Sequence, residues 1–501
     1  MKKTILLLLI IFSSSKIHAQ SNEMWKKVSQ STISITERGN LDSYDREKTV
    51  YKLDEAFLKE KLSSTLLKTG KKNTVEITIP NMDGAFEKYT VWESSNFDAQ
   101  LQAKYPDIRA YEGISSKDKK ARIHFSVSPR GIQTMVLRAD NASEFIESVD
   151  ASTDEYVLFT AKNRGKGSLP LTCNTKEVAL NQGLKNKTAK IAANNKVFKT
   201  LRLALSCTGE YAAFYGGTKQ NALEGMNATM TRVNGVFNKD LALKLIIIAN
   251  NDAVVYTNAA TDPYSDASVG VKGEWNQELQ TTLTNVIGES AYDIGHLFGA
   301  SGGGGDAGCI GCVCEDSIKG SGFTSPSDRK PQGDTFDIDF VSHEMGHQLG
   351  ANHTFSYNVE GKGVNVEPGS GSTIMGYAGV IIIDDYNIQD NSDDYFAYAS
   401  ILQIQNNLAR KSCPVNLALT NSPPVINAGA DYTIPFKTAF VLKGTGSDVD
   451  GNSVTYCWEQ NDSAVLTSGS ASVARPDKVD GPLFRSLPPS SSPIRYMPDL
   501  D

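Results

Sequence analysis

His343-Glu344-Met345-Gly346-His347-Gln348-Leu349-Gly350-Ala351-Asn352-His353 is the stretch on which the reading of this 501-residue chain turns. Two histidines four residues apart on a helix share one face, so His343 and His347 can aim imidazole nitrogens at a single metal ion. Glu344 then stands beside the metal without being required as a ligand. Gly350 can adopt backbone angles closed to other residues, end the helix and turn the chain so that His353 returns as a third ligand. Three neutral imidazoles leave one position of a tetrahedral zinc open, the arrangement of a catalytic rather than a structural site, and one Zn2+ is the expected cofactor. Glu344 would take a proton from water held there and pass it to the leaving amine of a cleaved amide, as general base and then acid. The chain has only six histidines, and three of them fall in this window, which weighs against coincidence.

Outward from the motif, the preceding sequence alternates between strand and helix patterns. Residues 201–206 read as a strand, 220–237 as a helix, 243–249 as a strand, 273–286 as a helix and 292–298 as a strand. A Gly- and Cys-rich loop, 299–322, leads into the motif helix. That order predicts a largely parallel sheet with helices packed on it. Further upstream, 74–79 and 121–127 alternate with period two, as half-buried strands do, and place a β-rich unit before the sheet. The Lys-, Asn- and Gly-rich stretch 162–196 reads as an exposed linker open to proteolysis. Downstream of Asn421, short strands between turn signals predict a β-sandwich module. Asp448, Asp450 and Asn452 have the alternation of a Ca2+ loop, but no bidentate Glu follows, so an Asp/Gly turn is the preferred reading and Ca2+ has no support. The chain is expected to continue past Asp501.

At about 150 residues per domain, this length implies about three folded units. A net charge of −7 gives no footprint for nucleic acid. Residues 1–19 run from Met-Lys-Lys through the apolar 4–12 to Ala19, the order of a secretory signal cleaved after Ala19; the apolar run is too short to span a bilayer, and no later segment spans either. Secretion allows disulfides to persist among the seven cysteines, Cys173, Cys207, Cys309, Cys312, Cys314, Cys413 and Cys457. An odd number leaves at least one unpaired or bonded elsewhere. Cys309, Cys312 and Cys314 lack a second pair at zinc-site spacing, so disulfides are preferred there. Cys173 stands just before the sheet-forming region, and a thiolate can occupy the open position on zinc and hold a new protease latent.

The extended histidine motif, with Met375 in Ser372-Thr373-Ile374-Met375-Gly376-Tyr377 downstream, resembles the metzincins, and among them the bacterial secreted reprolysin or adamalysin type. The resemblance covers about residues 198–414. It implies a multidomain α+β chain: a signal peptide (1–19), a β-rich propeptide (20–195), an α/β metzincin catalytic domain with a mixed twisted sheet and active-site helix (196–418), and a PKD-like, immunoglobulin-type β-sandwich (422–501). It implies that Met375 floors the three imidazoles, that Tyr377 is a candidate oxyanion stabiliser, and that Cys173 acts as a cysteine switch. It further implies that 292–298 is the edge strand pairing with substrate, with His296 structural, and that one loop cysteine bonds Cys413, with Cys207 available to another. Animal adamalysins carry Asp after the third histidine, where this chain has Thr354. The activity implied is secreted zinc endopeptidase, acting on protein or peptide substrates, with the C-terminal module binding cell surface or matrix. The rival is a secreted adhesin or binding protein with a structural or vestigial zinc site, against which the intact Glu344 argues.

Overall fold

The computed structural model describes residues 24–28, 49–66, 73–149, 153–161, 175, 196–381 and 384–500. The signal segment, most of the linker and Cys173 lie outside the described residues. Among those described, no helix is long and apolar enough to cross a membrane.

The upstream period-two segments join a single antiparallel sheet. Its strands are β1 (Trp25–Lys27), β2 (Thr49–Leu53), β3 (Val75–Pro80), β4 (Phe86–Glu93), β5 (Arg109–Ser115), β6 (Arg122–Ser128), β7 (Gly131–Leu137), β8 (Glu144–Ser148) and β9 (Glu155–Thr160). They lie in the order β1-β2-β9-β8-β7-β6-β5-β4-β3. Successive side chains point to opposite faces of a strand, and both faces are covered here. Val136, Ile146 and Leu158 enter a core with Trp25, Tyr51 and Tyr89. Their neighbours Met135, Phe145 and Phe159 enter the core of the next unit.

That next unit is built on β10 (Val197–Cys207), β11 (Leu243–Ile247), β12 (Ile294–Phe298), β13 (Gly304–Asp306), β14 (Gly322–Ser325) and β15 (Val415–Ala418). The order is β11-β10-β12-β14-β13, with β15 paired to the start of β10. β11, β10, β12 and β14 run parallel, whereas β13 is antiparallel to β14. The sheet is therefore mixed, as expected. The expected edge strand is a correction: β12 lies inside the sheet between β10 and β14, with every residue buried. The edge is β13, hidden within the Gly-rich loop because Gly304 and Gly305 bring no side chains to make a pattern.

The helix Lys219–Leu241 is buried over most of its length because it lies between the two units. Its apolar residues Met226, Met230, Val233 and Phe237 share a core with β10 and β11, and with Met135 and Phe145 of the N-terminal sheet. Its polar residues meet partners at that contact. Asn234 donates to Asn96 Oδ1 at 3.0 Å, and Asn96 donates to Thr231 Oγ1 at 2.8 Å. Arg232 pairs with Glu147 at 2.7 Å and with Asp337 at 3.0 Å. Backbone joins the units too, since Asp98 N donates to Ile247 O and Ile247 N donates to Asn96 O, both at 2.8 Å.

The C-terminal residues depart from the expected sandwich. β16 (Val425–Asn427) pairs with β18 (Thr445–Ser447), and β17 (Phe440–Lys443) with β19 (Ile494–Met497), as two separate ladders. Most residues of these strands are exposed or half-buried, and all three residues of β16 are exposed. Asp448 Oδ1 accepts from Asp450 N at 2.9 Å and Asn452 N at 3.1 Å, an Asp turn folded on its own backbone. The region instead lies along its neighbours: Gly469 N donates to Tyr357 O at 2.8 Å, and Ser491 N to Asp140 Oδ1 at 2.7 Å.

Candidate active site

The motif forms the helix His343–Leu349, entered through the π-helical turns Thr335–Ser342. Gly350 ends it at φ +126°, a conformation that a side chain would strain. The last carbonyls of a helix need donors from outside it. The cysteine loop supplies two, Gly311 N to His347 O at 2.8 Å and Val313 N to Gln348 O at 3.2 Å. Asn407 Nδ2 supplies a third, to Leu349 O at 2.8 Å.

Beyond Gly350 the chain returns and brings His353 to the other two. His347 Nε2 lies 3.1 Å from His343 Nε2 and 3.0 Å from His353 Nε2. Each Nδ1 faces an acceptor: Ile374 O at 2.7 Å for His343, Ala351 O at 2.7 Å for His347, and Glu360 Oε1 at 3.1 Å for His353. A neutral imidazole has one N–H, and these acceptors claim it, so all three Nε2 lone pairs converge on one point. Lone pairs so close repel unless a cation lies between them. The donor set suits zinc, whose bonds to imidazole nitrogen are about 2.0–2.1 Å. Among the described residues, these three are the group of His, Cys, Asp or Glu side chains placed to hold a metal.

Residues 197–408 match metallopeptidase family M12B, reprolysin-like. This segment is a reprolysin-like metallopeptidase domain. The family is zinc-dependent, in keeping with the three converging imidazoles, and the domain is that of a metalloendopeptidase. No curated protein matches the chain.

Around the histidines of the reprolysin-like domain, Met375 is fully buried against the active-site helix. A Cβ on Gly346 would lie 2.7 Å from its Sδ, so glycine between His343 and His347 makes room for it. Its carbonyl accepts from Thr354 N at 3.1 Å. The Tyr377 ring packs 4.8 Å from the His353 ring and 5.5 Å from that of His343, centroid to centroid. Glu344 presses on the edge strand, where a Cβ on Gly305 would meet its Oε1 at 2.2 Å. Thr175, two residues past Cys173, is also here: it donates to Glu344 Oε2 and to Asp306 Oδ1, each at 3.3 Å, and accepts from Ala307 N at 2.7 Å.

His296 stands apart from the three converging histidines. Its Nδ1 meets Gln348 Oε1 at 2.8 Å and its Nε2 meets Thr324 Oγ1 at 2.9 Å, bracing the helix on the sheet. Complete burial pushes its pKa down to about 4, so it is neutral. Cys314 bonds Cys413, the pairing implied for a loop cysteine, and Cys309 bonds Cys312. Cys207 corrects the expectation of a disulfide there: it is a buried free thiol facing Tyr256 O, because β10 carries it into the core away from the cysteine loop. Glu360, Thr175 and Gly305 escape the sequence reading, since none lies at a fixed spacing from the motif.

Proposed function

We propose that the protein is a secreted zinc-dependent endopeptidase, made as a latent zymogen, that hydrolyses peptide bonds in extracellular proteins. The observation carrying this reading is the convergence of three Nε2 lone pairs next to Glu344, at the rim of a sheet whose last strand is antiparallel. Held by His343, His347 and His353, zinc would polarise the scissile carbonyl and make nearby water more acidic. An extended substrate pairs with the side of β13 turned away from β14, main chain to main chain, once the segment carrying Thr175 has left. Glu344, pressed against Gly305 of that strand, takes the proton from attacking water and returns it to the leaving amine. Tyr377 is the proposed donor to the developing oxyanion, supported by its ring lying on two of the ligands.

Latency is supported by Thr175, a residue of the pro-segment in this reading, which engages Glu344 and the end of the edge strand. Cys173 is proposed as the latency thiolate. Export is supported by the order of residues 1–19. The test is mass spectrometry of peptides released from a protein substrate by the mature enzyme, with and without chelator, alongside Glu344→Gln. We expect cleavage that the chelator abolishes, and a Glu344→Gln protein that keeps zinc and loses cleavage by more than about 1,000-fold. Undiminished cleavage by that variant refutes the assigned role of Glu344.

A further inference from the structure

Thr354, where the sequence departs from the adamalysin pattern, leads to a carboxylate that the motif does not contain. Glu367 is 2% exposed, and all its hydrogen-bonding neighbours are donors. Its Oε1 accepts from Thr354 Oγ1 at 2.6 Å and from Thr373 Oγ1. Its Oε2 accepts from Ser372 N at 2.8 Å, Thr373 N at 3.1 Å and Ser372 Oγ at 3.4 Å. The backbone repeats the connection: Glu367 N donates to Thr354 O at 2.9 Å, and Phe355 and Glu367 form a parallel bridge. Gly371, at φ +71°, turns tightly round the carboxyl group; even a Cβ there would come within 3.2 Å of Glu367 Cδ.

On one side this carboxylate holds the residue that follows the third histidine. On the other it holds Ser372 and Thr373, which immediately precede Ile374, the carbonyl partner of His343 Nδ1, and Met375, the carbonyl partner of Thr354 N. The supports of two ligands thus meet at one side chain. We infer that Glu367 is a positioning residue that fixes His353 against His343 through Thr354 and the 372–375 turn, resting on the reading of these histidines as zinc ligands. In this chain the residue after the third histidine is Thr354, and the carboxylate it meets comes from a separate loop. Without it, two buried N–H groups and three hydroxyls lose their acceptor, and the His353 loop is released from the 372–375 turn.

The test measures zinc affinity of the full chain by competition with a chromophoric chelator, with circular dichroism as the check on folding. Glu367→Ala is expected to weaken zinc binding about 10- to 100-fold while the spectrum is unchanged. Glu367→Gln, which keeps one acceptor but turns an amide N–H2 towards donors, falls between. A folded Glu367→Ala protein that holds zinc as tightly as wild type overturns the inference. Should that variant not fold, Thr354→Val, which removes one donor, decides: unchanged affinity overturns the inference and weakened affinity supports it. Activated wild type that binds zinc but cleaves nothing overturns the peptidase reading alone, whereas wild type that binds no zinc overturns both.

Discussion

Replacing Gly305 with alanine puts a methyl group where the proposed base now rests. The new Cβ would stand 2.2 Å from Glu344 Oε1 and 2.5 Å from its Cδ and Cγ. Non-bonded heavy atoms settle at about 3.5–4.0 Å, so something must retreat by more than about 1 Å. β13 is tied to β14 through Gly305 and Thr324, and the active-site helix is capped by the cysteine loop, so the side chain of Glu344 is the part able to give way. A misplacement of about 1 Å at a reacting group costs about 100-fold in rate, and overpacking of this kind costs about 1–3 kcal/mol in stability. The assay is hydrolysis of a quenched fluorescent peptide by the activated enzyme, paired with zinc content by atomic absorption. The expected result is kcat lower by about 100-fold at full zinc occupancy. Gly302→Ala serves as control, since its Cβ would find nothing nearer than Ala267 Cβ at 3.4 Å. A Gly305→Ala enzyme with full zinc and kcat within about threefold of wild type would show that Glu344 does not act from this position.

Two other perturbations read different parts of the molecule. His296 is held neutral with a pKa near 4 against 6.5 in the unfolded chain; below pH 6.5 only the unfolded chain gains the proton, so stability falls as pH drops from 6.5 towards 4. At about 1.4 kcal/mol per pH unit, the loss approaches about 3 kcal/mol, and denaturant titrations of His296→Gln should show a correspondingly shallower decline; identical pH profiles would refute this. Arg232→Ala leaves Asp337, 1% exposed, without its cation, and should cost about 3–5 kcal/mol in chemical denaturation of the full chain. A loss below about 1 kcal/mol would mean that the Arg232–Asp337 pair contributes little to stability.

What the sequence makes legible follows from where side chains form patterns. The ligand helix, β10 and the Lys219–Leu241 helix are readable because apolar spacing or histidine spacing reports their faces directly. β13 is not, because glycine carries no side-chain pattern and the strand exists through its pairing with β14. Glu360 and Glu367 are equally silent, as each reaches its partner through loop geometry rather than a fixed offset. The turns after Asn421 are readable, but turn signals do not show whether the intervening strands bury enough surface to close a sandwich, and Val425 and Ile426 remain exposed.

The helix Lys219–Leu241 has a consequence for the order of events during synthesis. A ribosome delivers the nine-stranded sheet first, so the chain that forms the surface receiving Met226, Arg232 and Asn234 is made before those residues emerge. A gene fragment beginning at residue 197 would encode all three proposed zinc ligands yet omit Asn96 and Glu147, the partners of its buried polar side chains. The upstream unit is in this sense a mould, and any later cut that frees it exposes a protein face that was cast without water.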